Sequence, residues 1–209
     1  VGERKGDALL IADCVTSLGG IPVEIDEWGV DIAYSGTQKC LGVPPGLAPF
    51  TINERALERL VPTPQSWYLD LNLIAGYIGS DSGRSYHHTA PISMIQALHA
   101  GLGALLDEGL ESSWERHQRV GDHLKEGLVE RGFELFAAEG YRLPELTTAV
   151  VPAGIDEADV RRRLLSEYDI EIGGGLGPVA GKVWRIGTMG HTARIANVDM
   201  FLAALDDLL

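Results

Sequence analysis

The sequence predicts an α/β protein, and three observations carry that prediction. The run Ala8-Leu9-Leu10-Ile11-Ala12 is apolar on both faces, as a buried central strand is. Two long helical stretches, 92–106 and 111–131, occupy the middle of the chain. Beyond them, short strand patterns alternate with helical ones to the end. The 209 residues, 45% of them hydrophobic, suffice for one large domain or two small ones. A boundary in the helical stretch near Asp107 divides them into 1–107 and 108–209.

The strand at 8–12 comes with nothing ahead to cover it, so the chain reads as the C-terminal part of something longer. A second strand follows at 31–35 and a third at 46–53, where Pro49 argues for an edge or irregular position. Residues 54–60 form a short helix. The stretch 62–84 is rich in Pro, Gly, Ser and aromatics, lacks periodicity and reads as a long functional loop. Residues 92–106 are apolar nearly all round and read as a buried helix. The helix at 111–131 is more charged and stops at Gly132. Strands at 133–137 and 147–151 precede a helix at 156–168 with Val160, Leu164 and Tyr168 on one stripe. Arg161, Arg162 and Arg163 lie mostly off that stripe, as a solvated face. The glycine-rich run 173–177 follows no strand–turn–helix unit and reads as a flexible loop, not a dinucleotide fingerprint. A strand at 183–186 and a helix at 197–209, with Val198, Phe201, Leu202 and Leu205 on one side, complete the chain.

Composition narrows the function. The net charge is −13 with no Lys/Arg block, which argues against nucleic acid. An anionic ligand would need a local positive site. Cys14 and Cys40 offer neither a disulfide framework nor zinc-type spacing, so a reducing, cytoplasmic setting is expected. No apolar run reaches membrane-spanning length and no signal-peptide pattern is visible, so no membrane partner is expected. His87 and His88 are adjacent, point apart on extended chain and have no third ligand at metal spacing, so no metal is expected.

The chemistry gathers around Lys39. It follows Tyr34-Ser35-Gly36-Thr37-Gln38, a small hydroxyl-rich turn just past a strand, and Asp13 closes the apolar strand upstream. A lysine so placed can form a Schiff base with an aldehyde cofactor. An aspartate at the mouth of the neighbouring strand can keep a pyridinium nitrogen protonated. Together they point to pyridoxal 5′-phosphate (PLP). Taken singly, Lys39 reads as a solvated surface residue and Asp13 as a strand-end cap. Arg185, set in Val183-Trp184-Arg185-Ile186, is costly to bury without a partner, which is either a substrate carboxylate or an internal salt bridge.

Several motifs agree in order and spacing. They are Asp13-Cys14-Val15-Thr16-Ser17-Leu18-Gly19-Gly20, then Tyr34 to Lys39, Pro44-Pro45-Gly46 and Tyr86-His87-His88-Thr89-Ala90-Pro91. Glu108-Gly109-Leu110-Glu111 ahead of Trp114, Gly174-Gly175-Leu176-Gly177-Pro178 and Trp184-Arg185-Ile186-Gly187 follow. Over essentially its whole length the chain resembles the class V aminotransferases of PLP fold type I, nearest the alanine–glyoxylate and serine–pyruvate group. The resemblance implies the C-terminal part of a large domain with a mostly parallel sheet, then a small α+β domain. It implies that Lys39 carries the cofactor and shuttles the proton, and that Asp13 pairs with the pyridine nitrogen. Thr37 and Gln38 would bond the phosphate from one subunit, and Tyr86 and Thr89 from the partner of a homodimer. Arg185 would grip the substrate α-carboxylate in a two-pronged fork. The reaction implied is transamination between alanine or serine and glyoxylate or pyruvate. Cysteine desulfurases share the fold but place a His before the lysine, where this chain has Gln38. The resemblance also implies a preceding stretch with a phosphate loop and a ring-stacking aromatic. A truncated non-catalytic fragment, or one half of a two-chain enzyme whose other chain supplies that stretch, is therefore the alternative.

Overall fold

The structure is a computed structural model that describes residues 6–78, 83 and 85–209. Two sheets share the chain. In the first, β1 (Ile11–Asp13) runs parallel to β2 (Ile32–Tyr34), and β3 (Phe50–Ile52) pairs antiparallel on the far side of β2. Only part of the run at 8–12 is strand among the described residues. It becomes strand only at Ile11, has one neighbour among the described residues and leaves Ile11 58% exposed. Pro49 sits just outside β3, where its carbonyl accepts the Ser35 N–H at 2.8 Å. Having no N–H, it delays the strand until Phe50. The helix expected at 54–60 is α1 (Glu54–Leu57), capped by the Asn53 side chain on Ala56 N.

The stretch 62–84 is not all loop. Leu71–Ile78 form helix α2, opened by Asp70, whose carboxylate accepts Asn72 N–H at 2.9 Å and whose carbonyl accepts Ile74 N–H. Leu71, Ile74 and Ile78 stand at helical spacing. Residues 79–82 and 84 lie outside the described residues.

Helix α3 (Ile92–Glu108) was expected to be buried, yet Leu105 is its one buried residue. Ile92, Ile95, Leu102 and Leu106 are exposed. Gly109, at φ 88°, breaks the helix, and α4 (Leu110–Glu130) continues in a new direction. Gly132, at φ 85°, ends α4 with Phe133 N–H returning to Leu128 O.

The second sheet is antiparallel throughout, in the order β4 (Glu134–Leu135), β5 (Leu146–Val150), β7 (Val183–Gly187), β6 (Gly173–Gly174). The glycine-rich run thus supplies an edge strand and a single helical turn at 177–179, in place of a flexible loop. Gly175 admits no side chain, because a Cβ would lie 2.0 Å from Val179 O. Helices α4, α5 (Glu157–Tyr168) and α6 (Ile195–Leu208) cover this sheet. Trp184, Leu124, Leu128, Leu164 and Leu205 form the centre of its core. Full burial of each such side chain contributes about 1.5–3 kcal/mol. Val160 and Leu164 of the α5 stripe are buried, while Arg161, Arg162 and Arg163 pair with Glu157, Asp159 and Glu167.

Candidate active site

The β1–β2 register sets Asp13 opposite Tyr34. Tyr34 Oη donates to Asp13 Oδ2 at 2.9 Å, and Val15 N–H donates to Oδ1 at 2.9 Å. Both bonds orient the carboxylate at the mouth of the strand, where Asp13 is exposed. A carboxylate has about four lone-pair positions, so acceptor capacity remains for a ligand. The hydrogen bond to Asp13 raises the Tyr34 hydroxyl above its ordinary value, which keeps it a donor. Tyr34 was not singled out from sequence; the signal was its position in register with Asp13.

The turn after β2 is bonded at nearly every residue. Ser35 Oγ donates to Cys14 O at 3.0 Å, tying it to the loop that follows Asp13. Thr37 is fully buried and its single hydroxyl hydrogen goes to Pro44 O at 2.9 Å. Val43 N–H returns to Thr37 O, and Gly42 N–H to Lys39 O at 2.9 Å. Gln38 is exposed, with its side-chain amide folded over Gly36. Lys39 is half-buried and forms no ion pair among the described residues. The mouth of β1 thus presents an oriented carboxylate, and the turn after the paired β2 carries an uncommitted amine. That donor set suits a cofactor with a basic ring nitrogen and a carbonyl carbon. Cys14 and Cys40 are both buried, and burial pushes Cys40 up to about 12, far from a reactive thiolate.

Tyr86 and Thr89 come together, with Oη and Oγ1 2.7 Å apart, and Tyr86 is 75% exposed. Among the described residues neither bonds Asp13, Gln38 or Lys39. Between them, His87 and His88 do not point apart: their Nδ1 atoms lie 2.7 Å from each other. His87 Nε2 lies 3.0 Å from Trp67 O, so it carries the proton, and His87 Nδ1 accepts from His88. His87 also stacks on Trp67 with ring centres 4.1 Å apart. No group of metal-ligating side chains occurs among the described residues.

Arg185 is not buried in its strand. Alternation along β7 sends Trp184 and Ile186 into the core and Arg185 outward. Its Nε donates to Gly174 O at 2.8 Å, and no carboxylate pairs with it among the described residues. The outer edge of the guanidinium is therefore open to a ligand. Three residues past β7, Gly190 meets the Lys39 turn: a Cβ there would lie 3.1 Å from Lys39 O and 3.0 Å from Gly42 Cα. An open cleft of about 370 Å³ lies along this seam, lined in part by Cys40, Leu105, Arg116 and Arg194.

An α/β fold with a lysine held just past one strand and an aspartate at the mouth of its parallel neighbour defines a class of enzymes that hold PLP. The comparisons with known proteins agree. The family model described as aminotransferase class-V matches residues 3–199, and the chain belongs to that family, whose members are PLP-dependent enzymes of fold type I. The (S)-ureidoglycine–glyoxylate transaminase of Bacillus subtilis is 40% identical over all of this chain and 55% of its own length. The alanine–glyoxylate aminotransferase of Oryctolagus cuniculus is 42% identical over 96% of this chain and 53% of its own. The crystal structure of alanine–glyoxylate aminotransferase from Nostoc sp. superposes with a TM-score of 0.94 at 48% identity, covering 99% of this chain and 56% of that one. The chain thus spans about half the length of the relatives it matches.

Proposed function

We propose that the protein catalyses PLP-dependent transamination, moving an amino group from a small amino acid, alanine or serine, to a 2-oxo acid, glyoxylate or pyruvate. The observation that carries the reading is the oriented Asp13 carboxylate at the mouth of β1, with the uncommitted Lys39 amine in the turn that follows its parallel neighbour β2. Relatives named for glyoxylate as co-substrate support the choice of acceptor. When bound, the cofactor would supply an electron sink for the carbanion that forms at the substrate Cα.

The chain's own residues have distinct tasks in this reading. Lys39 Nζ would hold the cofactor and would take the proton from the substrate Cα and return it. Asp13 keeps the proton on the ring nitrogen, with Tyr34 and Val15 fixing its direction. Gln38 reaches the phosphate. Thr37, whose hydroxyl hydrogen goes to Pro44, serves the phosphate site by holding the turn that carries Gln38 and Lys39. Tyr86 and Thr89 meet the phosphate of the partner subunit in a homodimer, which fits their exposed, adjoining hydroxyls. Arg185 grips the α-carboxylate. Residues 1–107 belong to the cofactor-binding large domain and 108–209 to the small domain. No helix among the described residues is long and apolar enough to cross a membrane. We place the protein in the cytoplasm on its two unpaired cysteines.

The test is direct. PLP is added to the protein, the visible band is recorded, and the adduct is fixed with borohydride and mapped. The pyridoxyl group should sit on Lys39. A label on Lys125 or Lys182, or no band, would refute the reading. A panel of amino donors with glyoxylate and pyruvate then decides the substrates.

A further inference from the structure

Ser113 and His117 stand one turn apart near the start of α4, and both are fully buried. Ser113 Oγ donates to Gly19 O at 2.8 Å, in the loop that runs on from Asp13. His117 Nδ1 lies 2.7 Å from Ser113 O, a group that can only accept, so Nδ1 carries the proton. Nε2 then accepts Gly190 N–H at 2.9 Å. Burial holds the imidazole below its ordinary range, which favours this neutral, accepting form.

Gly190 is gripped on three sides. Its N–H goes to His117, its carbonyl takes Arg116 Nη1 at 2.8 Å, and a Cβ on it would lie 3.0–3.2 Å from the backbone of Lys39, Cys40 and Gly42. At φ 55° it occupies the left-handed region that glycine tolerates. The segment held in this way leaves the strand that carries Arg185. One pair of side chains on α4 therefore joins the loop after Asp13, the turn of Lys39 and the arm of Arg185.

We propose that Ser113 and His117 are positioning residues: by fixing Gly190 against the Lys39 turn they set the separation between the carboxylate fork of Arg185 and the reacting amine. This rests on the assignment of Arg185 and Lys39 given under Proposed function. His117 touches no substrate, and its effect should appear in substrate affinity. Leaving Gly190 N–H buried without an acceptor weakens the docking by about tenfold, as the loss of one buried hydrogen bond does.

The experiment uses His117→Leu, which removes the acceptor, and His117→Gln, whose Oε1 replaces Nε2. In the PLP-loaded protein, His117→Leu should raise KM for alanine and for glyoxylate about tenfold each, with a smaller change in kcat and an unchanged visible band without substrate. Deuterium exchange in the peptide spanning 187–194 should accelerate by a similar factor. His117→Gln should restore both. Parental KM values in His117→Leu, or a His117→Gln that behaves like His117→Leu, would overturn the proposal. If His117→Leu does not fold, Ser113→Ala removes the Gly19 link and the 3.4 Å contact of Ser113 Oγ with His117 Nδ1 and must raise both KM values severalfold; parental values there overturn it equally. Arg185→Lys serves as the control. If it leaves KM unchanged, the reading of Arg185 itself fails. If it raises KM and His117→Leu does not, only the positioning role fails.

Discussion

Glu145 is a carboxylic acid in a dry place, and its replacement by glutamine has a calculable consequence. The residue precedes β5, is 0% exposed, and neither carboxyl oxygen has a hydrogen-bond partner among the described residues. It packs on Gly20, where a Cβ would lie 2.3 Å from Oε1 and 2.8 Å from Cys40 Sγ. Burial pushes it from 4.5 up to about 7, opposed first by its own backbone N–H and then by the charge of Lys125. Cys40, the other titratable group beside it, is driven up to about 12 and stays neutral. A folded-state value raised above the unfolded one means that the stabilisation is complete below 4.5 and disappears as the pH rises towards 7. Each pH unit of that displacement is worth about 1.4 kcal/mol. Between pH 5 and pH 8 the linkage relation removes about 2.5 kcal/mol. Glu145→Gln keeps the shape and ends the titration. The unfolding free energy of the variant relative to the parent should therefore improve by about 2.5 kcal/mol from pH 5 to pH 8. Any fixed cost of burying the amide cancels from that slope. Urea unfolding followed by tryptophan fluorescence at each pH measures it. Two curves that stay parallel across this range would refute the argument, because the acid would then not titrate there.

Three more outcomes follow from the site. Gly190→Ala forces a side chain into the left-handed region and against the backbone of Lys39, Cys40 and Gly42, at about 2–4 kcal/mol together, so both thermal stability and PLP affinity should fall. Asp13→Asn should retain some PLP but lose at least tenfold in kcat, as the loss of a charge-assisted bond implies, and Tyr34→Phe should show a smaller loss of the same kind; near-normal turnover in Asp13→Asn would remove Asp13 from the site. Lys39→Ala should abolish both the visible cofactor band and the borohydride-fixed adduct while leaving the unfolding free energy within about 1 kcal/mol of the parent, since Lys39 is half-buried and makes no ion pair among the described residues.

Which parts of this arrangement could be read from sequence depends on how far apart the cooperating residues lie. Asp13 and Lys39, the pair proposed to do the chemistry, stand out in sequence because each ends a short local pattern, an apolar run or a small-residue turn, whose meaning needs no distant partner. Outside the glycine-rich run, the second half was readable element by element for the same reason: Asp156 caps α5 and Gly132 stops α4 by bonds within a few residues. Helix α2 escaped because its three apolar positions sit in a stretch dominated by turn-forming residues. The exposure of β1 and α3 in this chain has another basis. An apolar pattern reports what a surface is suited to, and in this chain Ile11, Ile92 and Leu106 stand exposed. Arg185 shows the same limit: an apolar context suggested burial, while strand alternation turned the side chain outward.

The residues that escaped altogether are those whose partners are remote. Tyr34 meets Asp13 only through the pairing of β1 with β2, 21 residues apart. His117 meets Gly190 across 73 residues, and nothing local marks a histidine on a charged helix as the acceptor for one backbone N–H. The division has a physical basis. A reacting group needs a particular functional group, and that leaves a chemical trace in a short stretch of sequence. Holding it in place needs a donor or acceptor at a particular point in space, and many residue types can provide one from anywhere in the chain. The chemistry proposed for Lys39 and Asp13 is therefore written locally, whereas the precision with which Arg185 would face them is proposed to depend on the hydrogen bonds around Gly190.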